Sequence, residues 1–507
     1  MHFPTKQSCL ILILLLGLIL RIVYLTQFKD TAFFNPGLMD KHDQLTFHLG
    51  ARQVQNHPWT VNGEAFYMAP LYSYFLAVLY AVSNTNVFDV VLFQLLMDVL
   101  VCFFLYQIGR RLYDERVGLV AAFLGCFYRT FIIYAATILS DALITFLYVS
   151  FILLLYWSLQ KPNLGRWVAA GVVLGLAALA KPTIGLYLPF VLIGLYLYPA
   201  DNLFSFPLKR PWQPVAAVAM LVGCAGLMIL PVTLRNWFVS GQFVPICTNG
   251  PINWAIGNSV DSIGLFCYPK GALLHPASLA FWQQQGNKLM LFFTSYEWPQ
   301  NLSVYMLDYL IPSLKAGFVR FGFVAPVGLA GLALMCLNWR KNFLFVSFTL
   351  VNILWVVLFF VTDRYRLPAV AGLMVCAGYA IVWTWDKLRA KALVGPAITW
   401  VGIGAFAYFF NTTPGPLVPD VYLRIFTQLS KRNVVQDMSD GNLQKALKEA
   451  MAYTQALPRD PEAYFLLGCV YEQYGVSGEA VAALRKTLEL NPDHEMARKF
   501  LNELTNR

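Results

Sequence analysis

Residues 8–28 read SCLILILLLGLILRIVYLTQF, an apolar run whose only charge is Arg21. A helix needs about 20 apolar residues to cross the hydrocarbon core of a bilayer. This run is therefore long enough to span, too long for the core of a signal peptide, and lacks a small-residue cleavage site after it. We expect it to be retained as the first membrane span. Comparable runs recur to about residue 410, and we read spans at 8–28, 88–109, 117–137, 142–159, 167–181, 184–199, 213–233, 317–338, 343–361, 367–385 and 393–410. In lipid the backbone must satisfy its own hydrogen bonds, so these segments are helices and the fold class is all-α.

Composition agrees. The 507 residues are 58% hydrophobic and 13% charged, whereas soluble globular chains carry about 25% charged residues. The formal net charge of +10 forms no basic face and so does not indicate nucleic acid. Lys and Arg cluster between apolar runs, at Arg110-Arg111, Lys161 to Arg166, Lys209-Arg210, Arg340-Lys341 and Lys387 to Lys391. By the positive-inside rule these ends lie in the cytoplasm, with the N-terminus inside and the C-terminus outside. The segment Pro70 to Val82 is too short to span and has no basic flank, so it reads as a juxtamembrane or re-entrant helix on the outer side. Residues 29–87 and 234–316 then form two long outer loops. Asp141, Lys181, Arg235 and the run Asp363-Arg364-Tyr365-Arg366 all fall at the same outer interface.

After about residue 411 the chain takes on the composition of a soluble helical domain. Tyr464, Leu467, Gly468, Tyr471, Ala480, Leu484 and Pro492 stand at the positions that a tetratricopeptide repeat reserves for such residues. Ala446 and Pro458 precede Ala480 and Pro492 by 34 positions, the period of such repeats. The domains are accordingly 1–410 in the membrane and 411–507 outside it. No C-x-x-C pair is present; a disulfide between Cys247 and Cys267 is left open. His42, Asp43 and His48 lack the regular spacing of a metal site, and no metal or other cofactor is expected.

The first outer loop reads Met39-Asp40-Lys41-His42-Asp43-Gln44-Leu45-Thr46-Phe47-His48-Leu49-Gly50-Ala51, followed by Gly63-Glu64-Ala65-Phe66-Tyr67-Met68-Ala69-Pro70-Leu71-Tyr72. This stretch resembles the first periplasmic loop of bacterial relatives of the dolichyl-phosphate-mannose protein mannosyltransferases. The resemblance continues in order through Leu139-Ser140-Asp141, Ala180-Lys181-Pro182, Pro231 to Asn236, Asn249 to Asn253 with Gly257-Asn258, and Arg364 to Pro368. Lys181 stands where Arg is usual, and Asp141 where Glu is common.

That resemblance implies a GT-C glycosyltransferase of the bacterial inner membrane, with a polyprenyl-phosphate sugar as donor and a periplasmic active site. It also implies inversion at the sugar's anomeric carbon. Asp43 is the first candidate for the catalytic base and Asp40 the second. A carboxylate beside an apolar interface is expected to have a raised pKa. Arg364, Tyr365, Arg366, Arg235, Lys181 and Asp141 are candidates for holding the lipid phosphate, the arginines through planar, bidentate donors. His48, Tyr72, Asn249, Asn253 and Asn258 are candidates for substrate contact. The acceptor could be a protein, a glycan or a lipid, and the repeats could engage it or a partner protein.

Two other classes fit many spans. A transporter or flippase predicts inverted halves with broken helices and ionisable groups at mid-membrane; the acidic residues sit mainly at outer ends, with Asp98 the exception. A scaffold for envelope-glycan assembly would need only one span as its anchor.

Overall fold

The computed structural model describes residues 6–38, 42–59, 63–160, 163–198, 203, 210–412, 431–456 and 460–505. Its helices are, in order, α1 (Lys6–Phe28), α2 (Asp43–Asn56), α3 (Leu71–Ser83), α4 (Val87–Leu112), α5 (Glu115–Phe127), α6 (Arg129–Ala135), α7 (Asp141–Gln160), α8 (Leu164–Ala180) and α9 (Leu188–Leu197). They continue with α10 (Gln213–Ser240), α11 (Gly250–Asn258), α12 (Leu279–Phe293), α13 (Val304–Leu310), α14 (Phe321–Cys336), α15 (Trp339–Leu358), α16 (Leu367–Arg389) and α17 (Val394–Thr412). Among the described residues, β contacts are confined to isolated bridges.

Among the described residues, seven helices are long and apolar enough to cross a membrane: α1, α4, α7, α10, α15, α17 and the segment Arg364–Arg389 that contains α16. The chain is a multi-pass membrane protein. Shorter apolar helices include α3, α8, α14 and Pro182–Leu197. The segment expected as one span at 117–137 is broken. α5 ends at Tyr128, whose backbone is extended, and α6 restarts at Arg129. The strand-like residue Val319 is inserted there, accepting from Arg129 N at 3.3 Å and donating to Phe127 O at 3.2 Å. Hydrogen bonds lost at the break are thus remade with another segment, as burial demands. The last span before the second outer loop also runs longer than expected, to Ser240.

Close helix contacts position the outer ends of the spans. A Cβ at Gly331 of α14 would collide with the Cys376 carbonyl of α16, and one at Gly257 of α11 with the Phe359 carbonyl just beyond α15. Glycine at 257 therefore lets α11 lie directly on the end of α15. Deep between α1 and α4, Arg21 Nε donates to Asp98 Oδ2 at 2.8 Å, with both residues buried. Arg21 also donates to the Gly17 and Cys126 carbonyls.

The structure divides into two units, residues 1–304 with 313–415, and 305–312 with 416–507. The second contains helices Leu443–Ala456, Pro461–Tyr474, Ser477–Leu490 and Glu495–Thr505. Ala446, Ala450, Tyr453, Ala463, Leu467 and Val470 form its core. Gly468 lies against Leu484, where a Cβ would crowd the leucine at 2.9 Å.

Candidate active site

Asp43 is the first residue of α2. Its Oδ2 accepts from Asn301 Nδ2 at 3.0 Å and from Arg364 Nη2 at 2.6 Å. Arg364 comes from a single 3-10 turn, Arg364–Arg366, that opens into α16. Asp363 fixes this turn: its Oδ1 accepts from Arg364 N at 2.8 Å and from the Tyr134 hydroxyl at 2.7 Å. The Arg364 fork is filled by four side chains, one of them the Tyr365 hydroxyl, which accepts from Nη2 at 3.4 Å. Besides Asp43, Nη1 donates to Asp141 Oδ2 at 3.4 Å and Nε to Gln300 Oε1 at 3.1 Å.

One guanidinium thus serves two carboxylates, and beside it stands a lysine whose charged form burial disfavours and the Asp141 and Asp43 carboxylates favour. Lys181, just past the end of α8, places Nζ 3.3 Å from the Tyr365 ring centroid and 4.0 Å from that of Trp355. Aromatic faces attract a cation without neutralising it. Lys181 makes no ion pair with a carboxylate among the described residues.

Asp43, Lys181 and Arg364 line a cavity of about 270 Å³, together with Ser140, Asn249, Asn253, Trp355, Phe359 and Tyr365. The two outer loops meet at its edge, where Thr248 N donates to Phe66 O and Asn249 N to Tyr67 O, at 3.0 and 3.1 Å. Cys247, also on the wall, donates its thiol to Asn249 Oδ1. Cys247 and Cys267 are both free thiols.

The Asp43 side chain is 29% exposed. Burial pushes its carboxyl up, but the Arg364 charge, hydrogen bonds from Asn301 and Arg364, and nearby His42 hold it below the usual carboxylate range. The expected raised pKa is therefore corrected: apolar surroundings are present, but an ion pair outweighs them. Both bonds use Oδ2, and Oδ1 accepts none among the described residues.

Several expected site residues lie elsewhere. Arg366 is buried and donates to the carbonyls of Leu291, Thr294 and Tyr296, with its guanidinium 4.4 Å from the Phe321 ring centroid. It closes the C-terminal end of α12 rather than lining the cavity. At three residues per turn, positions two apart point about 120° away from each other, so Arg364 and Arg366 diverge. Arg235 donates to the carbonyls of Trp59 and Glu64 and stacks on Phe66, tying α10 to the first outer loop. Tyr72 is buried and donates to Gln94 Oε1 at 2.6 Å. His48 Nδ1 meets the Tyr80 hydroxyl at 2.8 Å, joining α2 to α3. Asn258 is buried and donates to the Leu358 carbonyl at 2.9 Å. Asp40 lies outside the described residues.

Sequence reasoning passed over Asn301, Gln300 and Trp355. Asn301 carries one visible signal, a φ of +67° that asparagine tolerates better than most residues.

Residues 67–229 match the dolichyl-phosphate-mannose-protein mannosyltransferase family. That segment is less than half of the chain. It contains Asp141 and Lys181 but neither Asp43 nor Arg364. No curated protein matches the chain by sequence.

Among solved structures, the chain is similar to ArnT from Cupriavidus metallidurans bound to undecaprenyl phosphate, with a TM-score of 0.47 and 13% identity over 93% of this chain and 79% of that one. It is also similar to the Archaeoglobus fulgidus oligosaccharyltransferase AglB in complex with an inhibitory peptide and a dolichol-phosphate, with a TM-score of 0.47 and 14% identity over 81% of this chain. The apo form of the archaeal enzyme gives a TM-score of 0.46 at 14% identity over 80% of this chain. The matched regions cover 56% and 54% of those two archaeal chains, about half their length.

Proposed function

We propose that this protein is a membrane glycosyltransferase that moves a sugar from a polyprenyl-phosphate donor to an acceptor hydroxyl at the outer face of a bacterial inner membrane. The observation that carries the reading is the cavity in which Asp43 and Arg364 pair at 2.6 Å while Lys181 stands nearby without a carboxylate partner. Asp43 Oδ1 takes the acceptor proton as the acceptor oxygen bonds to the anomeric carbon. The bond from that carbon to the phosphate oxygen breaks, and the polyprenyl phosphate leaves carrying the electron pair. Its charge grows beside Lys181 and Arg364, which offset it without reorganising. Because Arg364 already serves Asp43 and Asp141, the growing phosphate charge falls to Lys181, whose ammonium form burial disfavours until an anion stands beside it.

In this reading the sugar and the phosphate occupy the cavity, with Asn249, Asn253 and Tyr365 on its walls as substrate contacts. The acceptor is a protein, a glycan or a lipid. Residues 411–507 form tetratricopeptide-type repeats that hold the acceptor or a partner protein outside the membrane. Reporter fusions after Arg111 and after Arg507 should place the first in the cytoplasm and the second outside.

The decisive test incubates the purified full chain with a panel of polyprenyl-phosphate sugars and candidate acceptors. Wild type should release polyprenyl phosphate. Asp43→Asn should lose about 10²- to 10⁴-fold, the range for a general base. Full turnover by Asp43→Asn removes Asp43 from the mechanism, and no release with any pair refutes the transferase reading.

A further inference from the structure

α7 and α8 carry the candidate active site at one end only. Ser140, just before α7, and Lys181, just after α8, line the cavity that holds Asp43. At the other ends of these helices stand Trp157, in the last turn of α7, and Arg166, in the first turn of α8; Arg111 joins them from the last turn of α4. α7 has 20 residues, about 30 Å at 1.5 Å per residue, which matches the thickness of a hydrocarbon core. The cluster therefore lies at the opposite membrane boundary from the cavity.

Two guanidiniums share one ring there. Arg111 Cζ lies 5.2 Å from the Trp157 ring centroid and Arg166 Cζ 5.7 Å from it. An interface arginine that merely snorkels extends its fork into water, whereas these two are braced. Arg111 Nη1 donates to the Gln107 carbonyl and Oε1, at 2.9 and 2.6 Å, and Arg166 Nη1 to the Trp157 carbonyl at 3.0 Å. Nη2 of each arginine makes no hydrogen bond among the described residues, and neither arginine pairs with a carboxylate there. The acidic residues on neighbouring helix ends are engaged by other cations: Glu115 by Lys6 at 3.3 Å and Arg110 at 3.6 Å, and Asp114 and Asp386 by Arg116.

Two like charges held beside one ring repel each other, and the ring's π face offsets that only in part. An anion completes the arrangement, and its level in the membrane decides which anion. Trp157 is 43% exposed at the end of a span-length helix, the level at which indole rings lie among lipid headgroups. Basic pockets between spans at that level hold anionic headgroups. We propose that Arg111, Trp157 and Arg166 form a binding site for an anionic glycerophospholipid, its phosphodiester oxygens accepting from the two Nη2 groups and its glycerol lying against the indole. This site is remote from the cavity and does not depend on the transferase reading.

The test titrates the purified full chain, in a neutral maltoside detergent, with phosphatidylglycerol or with phosphatidylcholine of the same acyl chains, and counts bound lipid by native mass spectrometry. A basic residue at an anionic surface is worth about 5-fold in affinity, so the pair is worth roughly 30-fold. Wild type should bind phosphatidylglycerol at least about 10-fold tighter than phosphatidylcholine. Arg111→Gln with Arg166→Gln should bring phosphatidylglycerol down to the phosphatidylcholine level. Lys387→Gln with Arg389→Gln removes the same charge from the end of α16 and should change the affinity less than about 3-fold. Equal binding of the two lipids by wild type overturns the proposal. Equal losses in the two double variants do so as well, because a diffuse surface charge would then attract the lipid. Displacement of phosphatidylglycerol by inorganic phosphate would make the site one for a soluble anion. The wild-type comparisons need no variant, so they decide the matter even if a variant fails to fold.

Discussion

Two arginine–carboxylate assemblies sit in this membrane domain, and they differ in what surrounds them. Arg21 and Asp98 are sealed between helices, with side chains 0% and 5% exposed. Their remaining donors are spent on carbonyls of α1 and α5. Arg364 is as buried, at 4%, but its partner Asp43 is 29% exposed and faces a cavity. The first assembly also leaves one carboxylate oxygen, Asp98 Oδ1, without a hydrogen bond among the described residues, but it is sealed between helices. The second turns its open carboxylate oxygen toward a cavity that Lys181 shares. An ion pair in a membrane is therefore not itself a functional signal; an ion pair with unspent hydrogen-bonding capacity beside a cavity is.

Cutting each pair at its carboxylate gives the largest contrast. Asp98→Leu strands a buried guanidinium and should cost about 3–5 kcal/mol of stability, whereas the double change Arg21→Met with Asp98→Leu should recover most of it. Asp43→Leu should leave thermal stability much closer to wild type, because the freed Arg364 still has Asp141 and Gln300, yet should lose transfer activity about as severely as Asp43→Asn. Melting curves and turnover on the same preparations decide this. Equal destabilisation by Asp98→Leu and Asp43→Leu would erase the distinction between the two assemblies.

A smaller contrast sits within one turn of chain. Arg364→Lys should lower kcat/KM about 10²-fold while leaving the melting temperature nearly unchanged, since a lysine cannot reproduce the planar fork that meets Asp43, Asp141 and Gln300. Arg366→Lys should do the opposite. It weakens the closure of the α12 C-terminus and lowers the melting temperature, with kcat/KM of the folded protein changed less than about 3-fold. A large activity loss in Arg366→Lys without a melting shift would return Arg366 to the cavity.

How far the sequence could be read follows the same division. Apolar run length located the seven helices that are long and apolar enough to cross a membrane among the described residues, because bilayer thickness dictates that length. It could not foresee the break at Tyr128, where a segment nearly 200 residues away supplies the missing hydrogen bonds. Asp43, Lys181 and Arg364 stand in short local patterns at the outer ends of helices, so their sharing one cavity could be anticipated. The directions of Arg366, Arg235 and Tyr72 could not, since each depends on which carbonyls or amides tertiary packing leaves within reach. Asn301 and Gln300 carry no motif; they matter because folding brings them to Asp43 and Arg364 from far along the chain.

The finest contrast uses Asn301. Glycine accepts the positive φ of this residue at no steric cost, so Asn301→Gly removes two contacts to Asp43, the Nδ2 bond to its carboxylate and the Oδ1 acceptor for its backbone N–H, without straining the backbone. With one of the groups that lower the Asp43 pKa gone, burial counts for more and that pKa rises. A base works only when deprotonated, so kcat/KM falls as pH drops through its pKa; the acid limb of Asn301→Gly should therefore lie at higher pH than in the wild type. Stability linked to Asp43 has the same sign: it is present above the unfolded-state pKa and is lost as pH falls through the folded-state value. At neutral pH, where Asp43 remains ionised in both proteins, rates should differ by less than about 3-fold. A uniform loss across the profile would mean that Asn301 only places α2, and an unshifted limb would mean that the Asp43 carboxylate is not the group whose protonation stops the reaction.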